Sequence, residues 1–264
     1  MFLADYHCHS AFSPDGHDSI AAMLENAKRA GLTEIAVTDH CDMNLPFDTD
    51  AYRRAFLEAQ AANKTGVRLL YAIEQGEGLH DMPRAEGILA REELDFVIGS
   101  YHAVKGGEDF YFMSYDSLEQ CLRVLDAYMD ELLEMARWAQ FDVLGHLTYP
   151  LRYMTARAGF EIDFYGRYES AMRGLFCELV SRGLGIEINV SGLYRKSGYK
   201  KAMPELNVVA LYRACGGEIV TVGSDAHVAP NVGCGIKRGL EIAREAGFSH
   251  VARFEKRKVF YEKI

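Results

Sequence analysis

The chain has 264 residues, 49% of them hydrophobic, with a formal net charge of −9 and a pI near 5.5. That length buries a large core and suits one α/β barrel or two smaller domains, while the acidic balance argues against a nucleic-acid or acidic-membrane surface. No apolar run approaches the roughly 18 residues of a membrane span, and the N-terminus lacks the basic region and cleavage site of a signal peptide, so a cytoplasmic protein is expected.

In chain order, an apolar run at 2–7 predicts a first strand that ends in His7-Cys8-His9. A helix over 19–31 follows, then a strand over 34–40 ending at His40, a helix over 52–66 and a strand over 67–74 ending at Glu74. The next strand, 94–102, ends at His102 and leads into a helix over 117–140, whose aromatic and leucine stripe, including Trp138, reads as core by its period. A strand over 141–146 ends at His146. After it come a helix over 164–183, a strand over 183–190, a helix over 203–217 and a strand over 218–225 running into Asp225 and His227. A last strand at 256–262 is expected to cover an edge or the barrel bottom. Glycines at 31, 66, 183 and 216 stand where helix C-caps are expected.

Strand–helix–strand repetition gives parallel strands with right-handed crossovers, and these strands are apolar enough to be buried on both faces. No Pro- or Gly-rich linker divides the chain, so one α/β domain, closed or nearly closed into a barrel, is expected over 1–264; a doubly wound open sheet is the alternative. The segments 106–110 and 231–239 are glycine-rich but lack the spacing of a phosphate loop, and read as turns. The six cysteines form no C-x-x-C pair, which predicts reduced thiols; Cys41 beside His40 reads as a small buried thiol.

In a parallel barrel the functional groups sit at the C-terminal strand ends. Six of the nine histidines fall there: His7, His9, His40, His102, His146 and His227. Glu74 and Asp225 join them, with Asp15 in the first loop. Side chains two apart on a strand share a face, so His7 and His9 can hold one ion while Cys8 faces away; Asp225 and His227 repeat the arrangement. Imidazole with carboxylate suits zinc, manganese or iron. Each residue has a plain alternative: a strand-end histidine can be a hydrogen-bonded structural group, Glu74 could pair with Arg68, and Asp225 could cap a helix. Nine such groups ending most strands of one barrel point to metal chemistry instead.

Taken in order, these motifs resemble the polymerase and histidinol phosphatase (PHP) family: H-x-H at His7 and His9, the loop acid Asp15, T-D-H ending at His40, I-E at Glu74, G-S-x-H ending at His102, G-H at His146 and S-D-A-H over 224–227. The resemblance spans residues 5 to 227. It implies a distorted (β/α)7 barrel of the PHP type that holds up to three divalent metal ions and hydrolyses phosphate esters. Position by position it implies His7, His9, Glu74 and Asp225 around a first metal, Glu74, His102 and His146 around a second, and Asp15, His40 and His227 around a third. Some relatives carry histidine at the position of Asp15, so His17 is a competing ligand or a supporting group.

Within the family, the length and two arginines resemble the members that act on L-histidinol phosphate in histidine biosynthesis. Arg152 and Arg195, after the fifth and sixth strands, stand at places similar to phosphate-contacting arginines, and a guanidinium fork suits phosphate oxygens. The implied reaction is hydrolysis of a small phosphate monoester, because a bound metal can bring the pKa of water from 15.7 to about 7, and a hydroxide bridging two ions could attack phosphorus. Asp225, or His227 beside it, is the expected proton carrier. The alternatives are another PHP phosphoesterase acting on phosphotyrosine, a nucleotide or a sugar or alcohol phosphate, and a noncatalytic metal-binding regulatory module.

Overall fold

The computed structural model describes residues 2–90, 93–195 and 198–264. Seven parallel strands form one sheet whose spatial order is the chain order: β1 (Ala4–Cys8), β2 (Glu34–His40), β3 (Arg68–Gly76), β4 (Phe96–Ser100), β5 (Val143–Leu144), β6 (Gly185–Asn189) and β7 (Val220–Gly223). The two edges meet just beyond β7. The Asp225 N–H donates to His7 O at 2.7 Å and the His9 N–H to Ala226 O at 2.8 Å, with a parallel bridge between Cys8 and Ala226. The sheet is therefore a nearly closed seven-stranded barrel with helices around it, and the expected (β/α)7 barrel is the observed fold.

Alternation along the strands sorts two cores. Ala4, Ala36, Leu70, Ala72, Phe96 and Ile98 fill the barrel interior, while neighbours such as Val37, Ile73 and Val97 pack outward against the helices. On β1 the alternation is reset once: Asp5 pairs with Ile35 but Cys8 with Val37, one extra residue on β1. This bulge lets Tyr6 line the lower interior while His7 and His9, of the opposite parity, face the upper interior, and Cys8 enters the outer core.

The bottom is closed by an antiparallel hairpin of β8 (His250–Glu255) and β9 (Lys258–Lys263). Ala252 and Phe254 of β8 join the interior cluster, and the Phe254 N–H donates to the Tyr6 hydroxyl at 2.9 Å. The expected strand at 256–262 is thus the second arm of a hairpin, shifted by its turn at Lys256 and Arg257, both with positive φ. Its first arm, which plugs the barrel, was not expected, because HVARFE alternates too weakly to stand out.

Other differences are local. The strand expected at 141–146 contracts to two residues, and the helix expected at 203–217 runs only over Leu206–Ala214. Helices Met82–Leu89, Tyr149–Ala156 and Ile236–Glu245 were not expected; the last begins inside the segment 231–239 read as a turn, after Gly235 at φ +78°. Among the described residues no helix is long and apolar enough to cross a membrane.

Candidate metal centre and active site

The upper interior positions of the barrel are polar where the lower ones are apolar, and the polar ones converge on Glu74. Its Oε1 lies 3.4 Å from His7 Nε2, 3.5 Å from His102 Nε2 and 2.8 Å from His146 Nε2. Its Oε2 lies 3.6 Å from His9 Nε2 and 2.9 Å from His40 Nδ1. One buried carboxylate on β3 therefore faces five imidazoles from β1, β2 and the ends of β4 and β5. The Ser100 hydroxyl donates to Oε1 at 2.6 Å and fixes the carboxylate.

Asp225 and His227 approach from the end of β7. Asp225 takes a positive φ of 55° and is buried, and its Oδ1 lies 3.5 Å from His9 Nε2 and 3.3 Å from His227 Nδ1. Asp15 reaches the same region from the first loop, with Oδ2 3.0 Å from His227 Nε2 and Oδ1 3.7 Å from His40 Nε2. All nine residues expected as ligands thus come together. His17 does not join them: it is exposed, and its backbone N–H donates to His227 O at 3.1 Å.

Among the described residues, four triads bring their ligand atoms within 4.8 Å of one another: His7, His9 and Asp225; His7, Glu74 and His146; His9, His40 and His227; His40, Asp42 and His102. Asp42 is an addition to the expected set. It is buried at the end of β2, with Oδ1 3.7 Å from His40 Nδ1 and 3.8 Å from His102 Nδ1. A Cβ at Gly76 would come 2.1 Å from that oxygen, so glycine there makes room for it.

Among the described residues, His7 Nε2, His9 Nε2, Asp42 Oδ1 and Glu74 Oε2 are buried and make no hydrogen bond. Orphaned polar atoms at this density are rare in folded proteins, and imidazole nitrogens and carboxylate oxygens aimed at one another are the donor set of divalent cations such as zinc. The site fits divalent metal ions.

Against burial, neighbouring carboxylates raise His7, His40 and His102, so the cluster draws positive charge. Burial alone would push the Glu74 carboxyl up, but the charges of His7, His40 and His102 hold it well below the usual carboxylate range. Asp225 is held low in the same way, against burial, by Arg195 and by His9. Burial, reinforced by His227 and His40, drives His9 well below the usual imidazole range, so its ring is neutral and keeps a free lone pair.

Supporting groups were also missed in the sequence. Glu187, an acid in the apolar strand β6, places Oε1 2.7 Å from His7 Nδ1 and accepts the His146 N–H on Oε2 at 2.8 Å. A Cβ at Gly223 would lie 2.3 Å from Glu187 Oε1 and 2.4 Å from His7 Cβ, so β7 must be bare at that point. Glu77 accepts the His102 N–H at 2.6 Å, and burial pushes it up to about 7 against the lowering charge of His102. Behind His9, the Ser13 hydroxyl lies 3.0 Å from Nδ1 and donates to Asp39 at 2.7 Å.

A cavity of about 690 Å³ opens over the cluster, and Arg152, Arg157 and Arg195 line it. Arg195 Nη2 lies 2.7 Å from His227 Nδ1 and 3.4 Å from Asp225 Oδ1, and it also donates to the Asp225 carbonyl. Arg152 is buried on the short helix Tyr149–Ala156. Three guanidiniums beside the histidine and carboxylate cluster give an acidic protein a cavity with local positive charge, able to receive an anion.

Comparison with known proteins agrees with this geometry. The family model of the PHP domain matches residues 5–191. A probable histidinol-phosphatase of Clostridium acetobutylicum is 30% identical, over 97% of this chain and 98% of its own; another from Thermotoga maritima is 26% identical over 95% of both. The crystal structure of histidinol phosphate phosphatase from Lactococcus lactis, complexed with zinc, L-histidinol and phosphate, superimposes with a TM-score of 0.81 at 23% identity, covering 98% of each chain.

Proposed function

Since the chain belongs to the PHP domain family and is a phosphatase like its relatives, we propose that its substrate is L-histidinol phosphate, hydrolysed to L-histidinol and phosphate. The observation that carries the reading is a single cavity lined by seven of the nine histidine and carboxylate residues, with His7 and His9 buried behind them, and by Arg152 and Arg195. Relatives matched over nearly their whole length and described as histidinol-phosphatases support the choice of ester.

His7, His9, Glu74 and Asp225 would hold a first metal, Glu74, His102 and His146 a second, and Asp15, His40 and His227 a third, with Asp42 beside His40 and His102. Bound divalent metals supply an acidified water and positive charge for the phosphoryl oxygens. The remaining work falls to the chain. Arg195 and Arg152 orient the phosphoryl group through forked N–H donors. Asp225, kept ionised by Arg195 and His9, accepts the proton of the attacking water on its carboxylate, and it or His227, 3.3 Å away, returns a proton to the departing alkoxide.

The test is phosphate release by the metal-loaded protein from L-histidinol phosphate, phosphotyrosine, nucleoside monophosphates and sugar phosphates. The highest kcat/KM is expected for L-histidinol phosphate. A higher value for phosphotyrosine or a nucleotide would assign the site to another PHP phosphoesterase, and no turnover of any ester would leave a metal-binding module.

A further inference from the structure

The Ser13 hydroxyl serves none of the chemistry above, yet every hydrogen-bond valence it has is taken. Its Oγ lies 2.7 Å from Asp39 Oδ1, 3.0 Å from the His40 backbone nitrogen and 3.0 Å from His9 Nδ1. A hydroxyl offers one hydrogen and two lone pairs. Asp39 Oδ1 also accepts the Ser10 N–H at 2.7 Å and the Ser13 N–H at 3.0 Å, so it carries no proton and the hydroxyl must donate to it. One lone pair of Oγ takes the His40 N–H, which can only donate. The other faces His9 Nδ1, which must carry a hydrogen for that contact to be a bond. The lone pair of the His9 ring is then on Nε2, a buried atom with no hydrogen-bond partner among the described residues, 3.5 Å from Asp225 Oδ1 and 3.6 Å from Glu74 Oε2.

The same carboxylate arranges the first loop. Neighbouring strand residues face opposite ways, so on β2 His40 faces Glu74 while Asp39 faces the segment after β1. Asp39 Oδ2 accepts the Ser10 hydroxyl at 2.7 Å, which with the bonds on Oδ1 fixes both ends of the turn 10–13, two residues short of Asp15. Asp39, Ser10 and Ser13 are all buried, where water does not replace a lost partner.

We propose that Ser13 and Asp39 are a positioning pair that sets the hydrogen of His9 on Nδ1 and holds His9, His40 and the Asp15 loop together for metal. The proposal rests on the metal-site reading above and deepens it. His9 belongs there to the first ion, and His40 and Asp15 to the third, so the pair joins two sites that share no ligand. The imidazoles of the second ion are held by other acids: Glu77 accepts the His102 N–H and Glu187 the His146 N–H. Asp39 matters for the direction of the bond. Without it the hydroxyl would be free to donate to His9 Nδ1, which would move the ring's own hydrogen to Nε2 and close that atom to a metal.

The test uses zinc-loaded protein labelled at the histidine nitrogens. Long-range proton–nitrogen NMR correlations show, ring by ring, which nitrogen carries hydrogen and which binds metal, and competition with a chromophoric chelator gives the affinity. In the wild type His9 is expected to carry hydrogen on Nδ1 and metal on Nε2. Ser13→Ala should lower zinc affinity by about 10–100-fold, the usual cost of removing a partner that orients a metal-bound histidine, and should shift the His9 signals while those of His102 and His146 stay in place. Ser13→Thr keeps the hydroxyl and should restore most of the affinity. A bare Nδ1 on His9 in the zinc-loaded wild type would overturn the proposal whether or not any variant folds. Wild-type affinity in a folded Ser13→Ala protein would overturn it too, as would a loss that moves the His102 and His146 signals as far as those of His9, the mark of a general loosening. Wild-type protein that binds no zinc would instead remove the metal reading, and the positioning pair with it.

Discussion

Glu187 Oε1 lies 2.7 Å from His7 Nδ1 while Oε2 accepts the His146 N–H at 2.8 Å, so a carboxylate on β6 ties a β1 imidazole to the backbone following β5. The contact at Nδ1 presents His7 Nε2 to Glu74 and the cluster, the arrangement by which carboxylates orient metal-bound histidines. Glutamine has one acceptor and one donor at its end, so Glu187→Gln must turn an NH2 toward one of the two N–H groups. Metal affinity, read by competition with a chromophoric chelator, is expected to fall by about 10–100-fold with the fold retained. Wild-type affinity in a folded Glu187→Gln protein would show that His7 does not need this partner.

Arg195 touches both Asp225 and His227 from the cavity side chains' own level. If it also holds the phosphoryl group through the transition state, Arg195→Ala should lower kcat/KM by roughly two to three powers of ten, and Arg195→Lys should recover only part, since an ammonium keeps the charge and loses the fork. Metal analysis is to be run on the same samples. Equal metal content with reduced kcat/KM is the expected result; undiminished kcat/KM in Arg195→Ala would take the residue out of the reaction.

Cys8 sits between two histidines of the cluster yet packs into the outer core, its sulfur 3.8 Å from the Ser224 hydroxyl, and burial pushes its thiol well above the usual range. Cys41 is buried beside His40 in the same core. Neither is needed as a nucleophile. Cys8→Ala and Cys41→Ala should each keep kcat/KM within about tenfold of wild type, as packing changes of a kcal/mol or two allow. A loss as deep as that of Glu74→Ala would mean that a thiol takes part.

Phe254 on the bottom hairpin is buried against Phe96 and Tyr6, with ring centres 4.8 and 6.2 Å away. Phe254→Ala should cost about 3–5 kcal/mol of unfolding free energy, measured by denaturant titration, while leaving the cluster at the opposite end of the barrel intact. A cost below about 1 kcal/mol would mean that the hairpin is not the plug of the barrel.

The barrel was legible because its strands are apolar runs ended by polar residues, and the histidine cluster because H-x-H puts two imidazoles, and D-A-H a carboxylate and an imidazole, two residues apart at strand ends. Asp42, two residues past His40, could have been found by the same spacing. Glu187 left a signal as well: it is an acid at an inward position of an otherwise apolar strand, and such an acid needs a buried partner. The bulge in β1 left none, since an extra residue shows only in the pairing of Asp5 and Cys8 with β2. Arg157 was equally silent, because a short helix after β5 brings it to the cavity.

The central claim is that phosphate release depends on metal held by the Glu74 cluster, and the most direct measurement pairs metal content with turnover on one preparation. Metal is removed by chelation and its loss verified by elemental analysis, then manganese, zinc or iron is restored while phosphate release from L-histidinol phosphate is followed. Turnover should vanish with the metal and return with it, and Glu74→Ala should fail to regain both metal and rate. Unchanged turnover in a verified metal-free preparation would contradict the account.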